Sequence, residues 1–562
     1  MTVTDTTEAT EEEVTAAEAP ATPAPWPPAT DHKVVGTLFV VLGIVFLVVA
    51  GVLAAVMRAQ LSGPDTGVVT DSTYRQLFTL HGTLGVFGFL GPVWVGVATA
   101  VVPLQIGAAR LAFPRLQALA LWLVVAGGGM MIASPFASGG KVISGWALST
   151  PIPEGRAFRG ESADLAVLGL GLVATALVLA GANLVVTVIK MRAPGLSLRR
   201  TPLFSWSVLV SGSVLILALP VLVGALVMLF VDRHYNGSIF NGFTGSGGGD
   251  SLLWPRLFWF AAYPTLWAFL IPGLGVAAEI VPVFARRRLF SHRRATAALG
   301  ALGVLAFAGW GSQVASLSRA RGMFAVGALL VLAPVASVAL NLVATAGSGL
   351  REATVRAAEL FTAPMAYMAG FLVVLALGLA GAAVAAVGSS TIAARDYWQV
   401  ATQHTLFFGA STLAAVAALA YWAPKLWGRH LSEKAALLAA TLLAGGMLVS
   451  GLAMFVLGYQ EMHVHVATYA SDDRFRPANL VATAGAVLTA LGFVVFVSDL
   501  ALSVVGRRGR AAGADPWGGH TLEWATSSPP PSYNFDRLPE IRSEAPVLDL
   551  RVAAQLGSEG NG

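Results

Sequence analysis

Cysteine is absent from all 562 residues, which removes disulfides, thiolate metal ligands and iron–sulfur clusters together. Charge is scarce too: 12% of the residues are Asp, Glu, Lys or Arg, against about 25% in soluble domains. So few charges do not keep a soluble surface hydrated, whereas they suit a wall that faces lipid, and a soluble enzyme is excluded. Histidine numbers only nine, so metal or haem chemistry must draw nitrogen or oxygen donors from a short list. The formal net charge is +5, but the basic residues sit in short loops and form no stripe for nucleic acid.

What the chain has in abundance is apolar sequence. Residues 1–33 are acidic and rich in Thr, Ala and Pro, and they predict a disordered cytoplasmic tail. They lack the basic start and apolar stretch of a signal peptide. From Val34 onward, runs long enough to cross a bilayer, about 20 residues each, follow one another. Twelve are expected, over 34–57, 77–103, 117–135, 163–190, 205–232, 257–283, 297–318, 322–346, 367–390, 402–423, 435–459 and 477–505. The predicted fold is all-α: a polytopic membrane helix bundle of about twelve transmembrane helices, one domain over 34–505. A polar, Pro-rich tail over 506–562 is expected to lie on the cytoplasmic surface. Alternate loops hold Arg110 and Arg115, then Arg192, Arg199 and Arg200, then Arg286–Arg288 with Arg293 and Arg294, then Arg351 and Arg356, then Lys425, Arg429 and Lys434. The positive-inside rule makes these loops cytoplasmic and places both termini with them.

Ionisable groups at bilayer depth are costly and point to function. No Lys lies mid-helix, and Glu279 and Asp499 fall toward the cytoplasmic helix ends. His32, His234, His292, His430 and His520 fall in tails and loops, and His463 and His465 follow the eleventh run. Only His81 and His404 remain inside predicted spans. Two imidazoles from facing helices can hold one haem iron axially. A buried His also bonds simply to a neighbouring carbonyl, and spacing alone does not choose between the two.

The words around these residues do choose. LFTLHGTLGVFGFLGP at 77–92, VVPLQIGAARLAFPRL at 101–116, LIPGLGVAAEIVPVFARR at 270–287 and YWAPKLWGR at 421–429 resemble haem–copper oxidase subunit I. DPWGGHTLEWATSSPPPSYNF at 515–535 resembles the tail of the same family, and the likeness runs through nearly the whole chain beyond residue 30. The resemblance puts His81 at the first axial position of the low-spin haem. Counting back from Trp422 and Pro424 puts His404 at the second, and Arg58 matches an Arg beside that haem. Trp146 matches an outer-loop Trp with a structural part.

The oxygen-reducing centre of the family is not matched. Thr402 stands where the high-spin haem ligand is expected, and Tyr263, Ser312 and Gln313 stand where the resemblance calls for copper-binding His. Thr265 and Trp267 replace a proton-carrying Glu and a cross-linked Tyr, while Arg110 and Val338 replace the Asp and Lys of the proton routes. Copper favours imidazole over amide or hydroxyl oxygen, and a Thr hydroxyl is no haem ligand. No copper is expected, and Trp267 and Trp310 are expected to fill part of the vacated volume, since a large void is destabilising. Arg395, His463 and His465 are candidate propionate contacts in place of a missing Arg pair, with the two His expected on one side of an extended loop.

The function implied is that of a membrane haem protein with one bis-His low-spin haem, a or b type, for single-electron transfer. Its partners would be other subunits of a respiratory complex and a donor such as a c-type cytochrome, a copper protein or a quinol-linked complex, in a bacterial plasma membrane. Two alternatives stand beside it: a non-redox pseudo-enzyme or assembly subunit, and a genuine cytochrome c oxidase subunit I with non-standard ligands.

Overall fold

A computed structural model of the chain describes residues 30–138, 145–148, 160–235, 237–240, 249–314, 320–352, 355–356, 360–387, 396–469 and 474–559. Among them no strand forms; one isolated bridge joins Arg429 to Ala511. Twelve helices build the bundle in chain order: α1 His32–Gln60, α2 Asp71–Gln105, α3 Pro114–Phe136, α4 Glu161–Lys190, α5 Leu203–His234, α6 Leu253–Phe284, α7 His292–Leu305, α8 Gly322–Arg351, α9 Ala363–Val387, α10 Tyr397–Trp427, α11 Glu433–Tyr459 and α12 Arg476–Val505. A thirteenth, α13 Pro546–Glu559, lies in the C-terminal segment. Eleven of the described helices are long and apolar enough to cross a membrane; α7 is too short.

The twelfth expected span, 297–318, therefore stops early. Its helix ends at Leu305, and residues 310–313 form a single tight turn. Glycine is a poor helix former, by about 1 kcal/mol relative to Ala, and Gly309 and Gly311 fall at the break. Side chains at these two positions have no room: a Cβ on Gly309 would come within 2.7 Å of the Tyr263 hydroxyl, and one on Gly311 within 2.3 Å of the Phe324 ring.

The helices α2, α6 and α10 are buried almost all round and form the centre of the bundle. They are less apolar than outer helices such as α1 and α5, because their polar groups meet protein rather than lipid. On α1, Val41, Val45, Val48 and Val52 form an exposed stripe at helical spacing, while Phe39, Val40, Phe46 and Leu47 on other faces are buried. Small residues let backbones approach where there is no aqueous driving force. A Cβ on Gly36 of α1 would lie 2.6 Å from the Gly96 carbonyl of α2, and one on Gly446 of α11 would lie 2.6 Å from the Gly485 carbonyl of α12.

The segment 506–559 is not a loose tail. It packs across the Arg-rich end of the bundle, with Leu522, Glu523 and Trp524 buried. The Lys425 ammonium donates to the carbonyls of Ala514 (2.8 Å), Thr526 (2.6 Å) and Ser527 (3.2 Å). Glu523 accepts from Gln105 Nε2 at 3.1 Å and Trp422 Nε1 at 3.2 Å. His32, expected in the N-terminal tail, is instead buried at the first turn of α1. Its Nδ1 donates to the Thr99 carbonyl at 3.1 Å and its Nε2 accepts from Asn534 Nδ2 at 2.9 Å.

Candidate functional site

His81 lies on α2 and His404 on α10, so the two central helices face each other through their imidazoles. The ring centres are 6.0 Å apart and the planes differ by 19°. Metal–imidazole nitrogen bonds of about 2.0 Å place two axial imidazole centres about 6.3 Å apart across one metal ion, close to the observed separation. Each ring is held by its other nitrogen. His81 Nδ1 donates to the Ala50 carbonyl of α1 at 3.0 Å, and His404 Nδ1 donates to the Val400 carbonyl one turn back at 2.9 Å. That pattern leaves Nε2 of each ring as a free lone pair, the second-sphere arrangement that metal-binding His require.

Local backbone supports the placement. A π-helical turn follows His81 over Leu84–Leu90, and a second, over Gln403–Gly409, contains His404. Such turns insert a residue into the helical ladder and concentrate at functional sites. Gly85, one turn beyond His81, is buried, yet a Cβ there would meet nothing within 4 Å. An interior slot therefore borders α2 beside the histidine pair, and a flat macrocycle held by the two imidazoles fits it. Trp146 packs against the same helix beside His81: a Cβ on Gly82 would lie 2.8 Å from Trp146, which packs edge-on against Phe258 and Trp259 at 5.4 Å each.

Arg58, at the end of α1, lies within electrostatic reach of both imidazoles. Its Nη2 donates to the Tyr397 hydroxyl at 2.9 Å. Its buried Nη1 makes no hydrogen bond with the described residues, although Tyr74 stands beside it. An orphaned cationic donor here fits an anionic or carbonyl substituent of a bound group. Tyr397 went unnoticed in the sequence, yet it precedes His404 by seven residues, two helical turns, and so shares its face.

The positions where copper and high-spin haem ligands were expected also converge. Tyr263, Trp267, Ser312, Gln313 and Thr402 line one cavity of about 340 Å³ together with Gln399, Gln403, Phe407 and several alanines. Among the described residues its polar groups are hydroxyls, amides and one indole with no imidazole, a set that does not fit copper or an axial haem bond. Thr402 spends its hydroxyl on the Trp398 carbonyl at 3.0 Å, and Ser312 on the Gly309 carbonyl at 2.7 Å. The expected filling is partial: Trp267 lines the cavity, but Trp310 turns to Phe260 and Phe324, at 5.7 and 5.3 Å, and leaves the space open.

The outer-loop residues are not brought together. His463 is exposed, while His465 is half-buried and packs edge-on against Phe78 at 4.5 Å. The backbone is not extended as expected, since φ is +66° at Glu461 and +63° at His465. His465 lies against α2 at Phe78, one turn before His81. Arg395 lies outside the described residues. Among the described residues, no group of three or more His, Asp or Glu could hold a metal ion.

Known proteins place the chain. Residues 34–488 match the family described as cytochrome c and quinol oxidase polypeptide I. The chain is similar to a putative cytochrome c oxidase subunit 1-beta of Streptomyces coelicolor, 35% identical over 533 residues that cover 93% of this chain and 90% of the relative. A probable cytochrome c oxidase subunit 1-beta of Nocardia farcinica is 35% identical over 525 residues, 93% of this chain and 87% of the relative. A cytochrome c oxidase subunit 1 of Corynebacterium diphtheriae is 32% identical over 534 residues, 93% and 91% of the two chains. With the family matched over most of its length and relatives similar from end to end, the chain belongs to the haem–copper oxidase subunit I family.

Proposed function

We propose that this chain is an electron-transfer subunit of a respiratory complex in a bacterial plasma membrane, holding one low-spin haem between His81 and His404 and reducing no oxygen itself. The observation that carries the reading is the facing imidazole pair, 6.0 Å between ring centres, with both Nδ1 atoms engaged and both Nε2 atoms free. A haem held by two imidazoles supplies a one-electron carrier with no open coordination position.

The protein's own contribution is orientation and charge. The carbonyls of Ala50 and Val400 fix the tautomer and tilt of the rings. Arg58 places a positive charge at the slot, which favours the reduced state of a bound group. Phe408, 6.4 Å from His404 and 5.9 Å from Phe89, helps keep water from the ring. The replacement of every expected copper and high-spin haem ligand by Tyr263, Ser312, Gln313 and Thr402 supports the loss of oxygen chemistry. The Arg-bearing loops and the segment over 506–562 would lie on the cytoplasmic side, leaving the opposite face to a donor such as a c-type cytochrome or a quinol-linked complex.

Spectroscopy tests this. The purified protein should show one six-coordinate haem per chain, no stoichiometric copper, and an unchanged reduced spectrum under carbon monoxide. A carbon monoxide adduct, or copper at one per chain, would assign it oxidase activity through other ligands. Loss of respiratory electron flux in His404→Ala cells separates a relay from an assembly subunit, in which flux would persist.

A further inference from the structure

Asp499, near the end of α12, is an acidic side chain inside a membrane-length helix and takes no part in the histidine pair. It is 7% exposed, and its two oxygens are treated differently. Oδ1 accepts from the Ser432 backbone N–H at 3.2 Å and from Ser503 Oγ at 3.0 Å, Ser503 being part of a π-helical turn over Ala501–Val505. Oδ2 is buried and has no hydrogen-bond partner among the described residues. Capping α11 through Ser432 takes only one carboxylate oxygen, and an ionised oxygen left bare in a protein interior is costly.

Three helix ends meet around Asp499. Glu433, the first residue of α11, follows Ser432, and its Oε1 accepts at 2.6 Å from the Ala363 N–H that opens α9. One turn further along α9 lies Tyr367, fully buried, its ring centre 6.3 Å from that of Phe496, one turn before Asp499 on α12. The Tyr367 hydroxyl is within electrostatic reach of both carboxylates, yet it has no hydrogen-bond partner among the described residues. Thr362, beside Ala363, buries a further unpaired hydroxyl oxygen. The N-termini of α9 and α11 each offset about half a charge, so the two carboxylates leave a negative site. Among the described residues, no Lys, Arg or His forms an ion pair with either.

We infer that Asp499 and Tyr367, with Glu433 on the exposed side, hold a hard metal cation that ties the ends of α9, α11 and α12 together. The donors gathered there are carboxylate and hydroxyl oxygens with no imidazole or thioether, the set chosen by magnesium, calcium or sodium and not by copper or zinc. The burial of Asp499 Oδ2 and of the Tyr367 hydroxyl favours a bare ion over a bulky organic ammonium. A buried water would bridge the same oxygens but would respond to no particular salt. The site is separate from the haem, and nothing in it depends on whether oxygen is reduced.

The test uses the full-length protein in phosphatidylcholine nanodiscs, stripped with EDTA and exchanged into choline chloride. Magnesium, calcium or sodium chloride is then titrated in at constant ionic strength, and hydrogen exchange is read on the peptides that carry the starts of α9 and α11 and the end of α12. One of the three salts should slow exchange there saturably, by about tenfold once the ion stands at ten times its dissociation constant, and which salt does so identifies the ion. Asp499→Asn keeps the size of the side chain and should weaken the apparent affinity about tenfold or more. Tyr367→Phe removes one oxygen and keeps the ring; it should weaken affinity about fivefold and serves where the Asn variant does not fold. Exchange that responds no more to these salts than to choline, or a response that both variants retain in full, overturns the inference and leaves a water between the same oxygens.

Discussion

At the scale of single residues, the site depends on what each imidazole does with its second nitrogen. His81 and His404 both donate through Nδ1 to a backbone carbonyl, so removing either ring leaves one ligand and a carbonyl that keeps its helical bond. His404→Ala should therefore abolish the low-spin haem spectrum while the protein still inserts and purifies; an intact spectrum would assign the ligand elsewhere. Arg58 acts differently, through charge. A unit charge about 10 Å from a redox centre at an effective dielectric near 20 is worth about 1.7 kcal/mol, on the order of 70 mV for one electron. Arg58→Met removes that charge and keeps most of the side chain's bulk. The midpoint potential should fall by tens of millivolts with the visible spectrum retained, a shift read by potentiometric titration. An unchanged potential would confine Arg58 to holding Tyr397.

At the scale of elements, the two π-helical turns and the slot beside Gly85 make a further prediction. Gly85→Phe places a ring where a Cβ would meet nothing within 4 Å, so it should be accommodated by the fold and exclude haem, lowering the haem-to-protein ratio at least tenfold. Gly36→Ala is the contrast: its Cβ would fall 2.6 Å from the Gly96 carbonyl, an overpacking that costs about 1–3 kcal/mol. The haem ratio should hold there while thermal stability drops; equal haem loss in both would mean that the slot is not specific. Much of this level was legible beforehand. Apolar length gave the helices, and the HGT word and the count back from Trp422 gave His81 and His404. The break after Leu305 was not read, because a hydropathy window averages over Gly309 and Gly311 and does not register the Tyr263 and Phe324 side chains that need their space. The lipid-facing stripe Val41, Val45, Val48 and Val52 was equally hidden, since both faces of α1 are apolar and no periodicity distinguishes them.

At the scale of the whole molecule, the C-terminal segment is a packed cap, and that too escaped a linear reading: Asn534 meets His32 across 502 positions of sequence. The cap carries a titratable group of consequence. His520 is buried, and its burial, reinforced by Arg551 and Arg288, pushes its pKa from 6.5 down to about 4. The docked cap thus holds a neutral imidazole, whereas a released cap takes up a proton as pH falls below 6.5. Its contribution is fully present above pH 6.5 and lost by about 1.4 kcal/mol per pH unit down to about 4. Glu523 works in the opposite sense, because burial raises its carboxyl pKa and protonation favours the docked form. His520→Gln leaves the Glu523 response in place, so the difference between wild type and variant isolates the imidazole. Between pH 7 and pH 5, release of residues 515–545, read by hydrogen exchange in nanodiscs, should increase about 20-fold more in the wild type than in the variant. Equal responses would remove His520 from the energetics of the cap and leave Lys425, with its three tail carbonyls, as the group that fastens it.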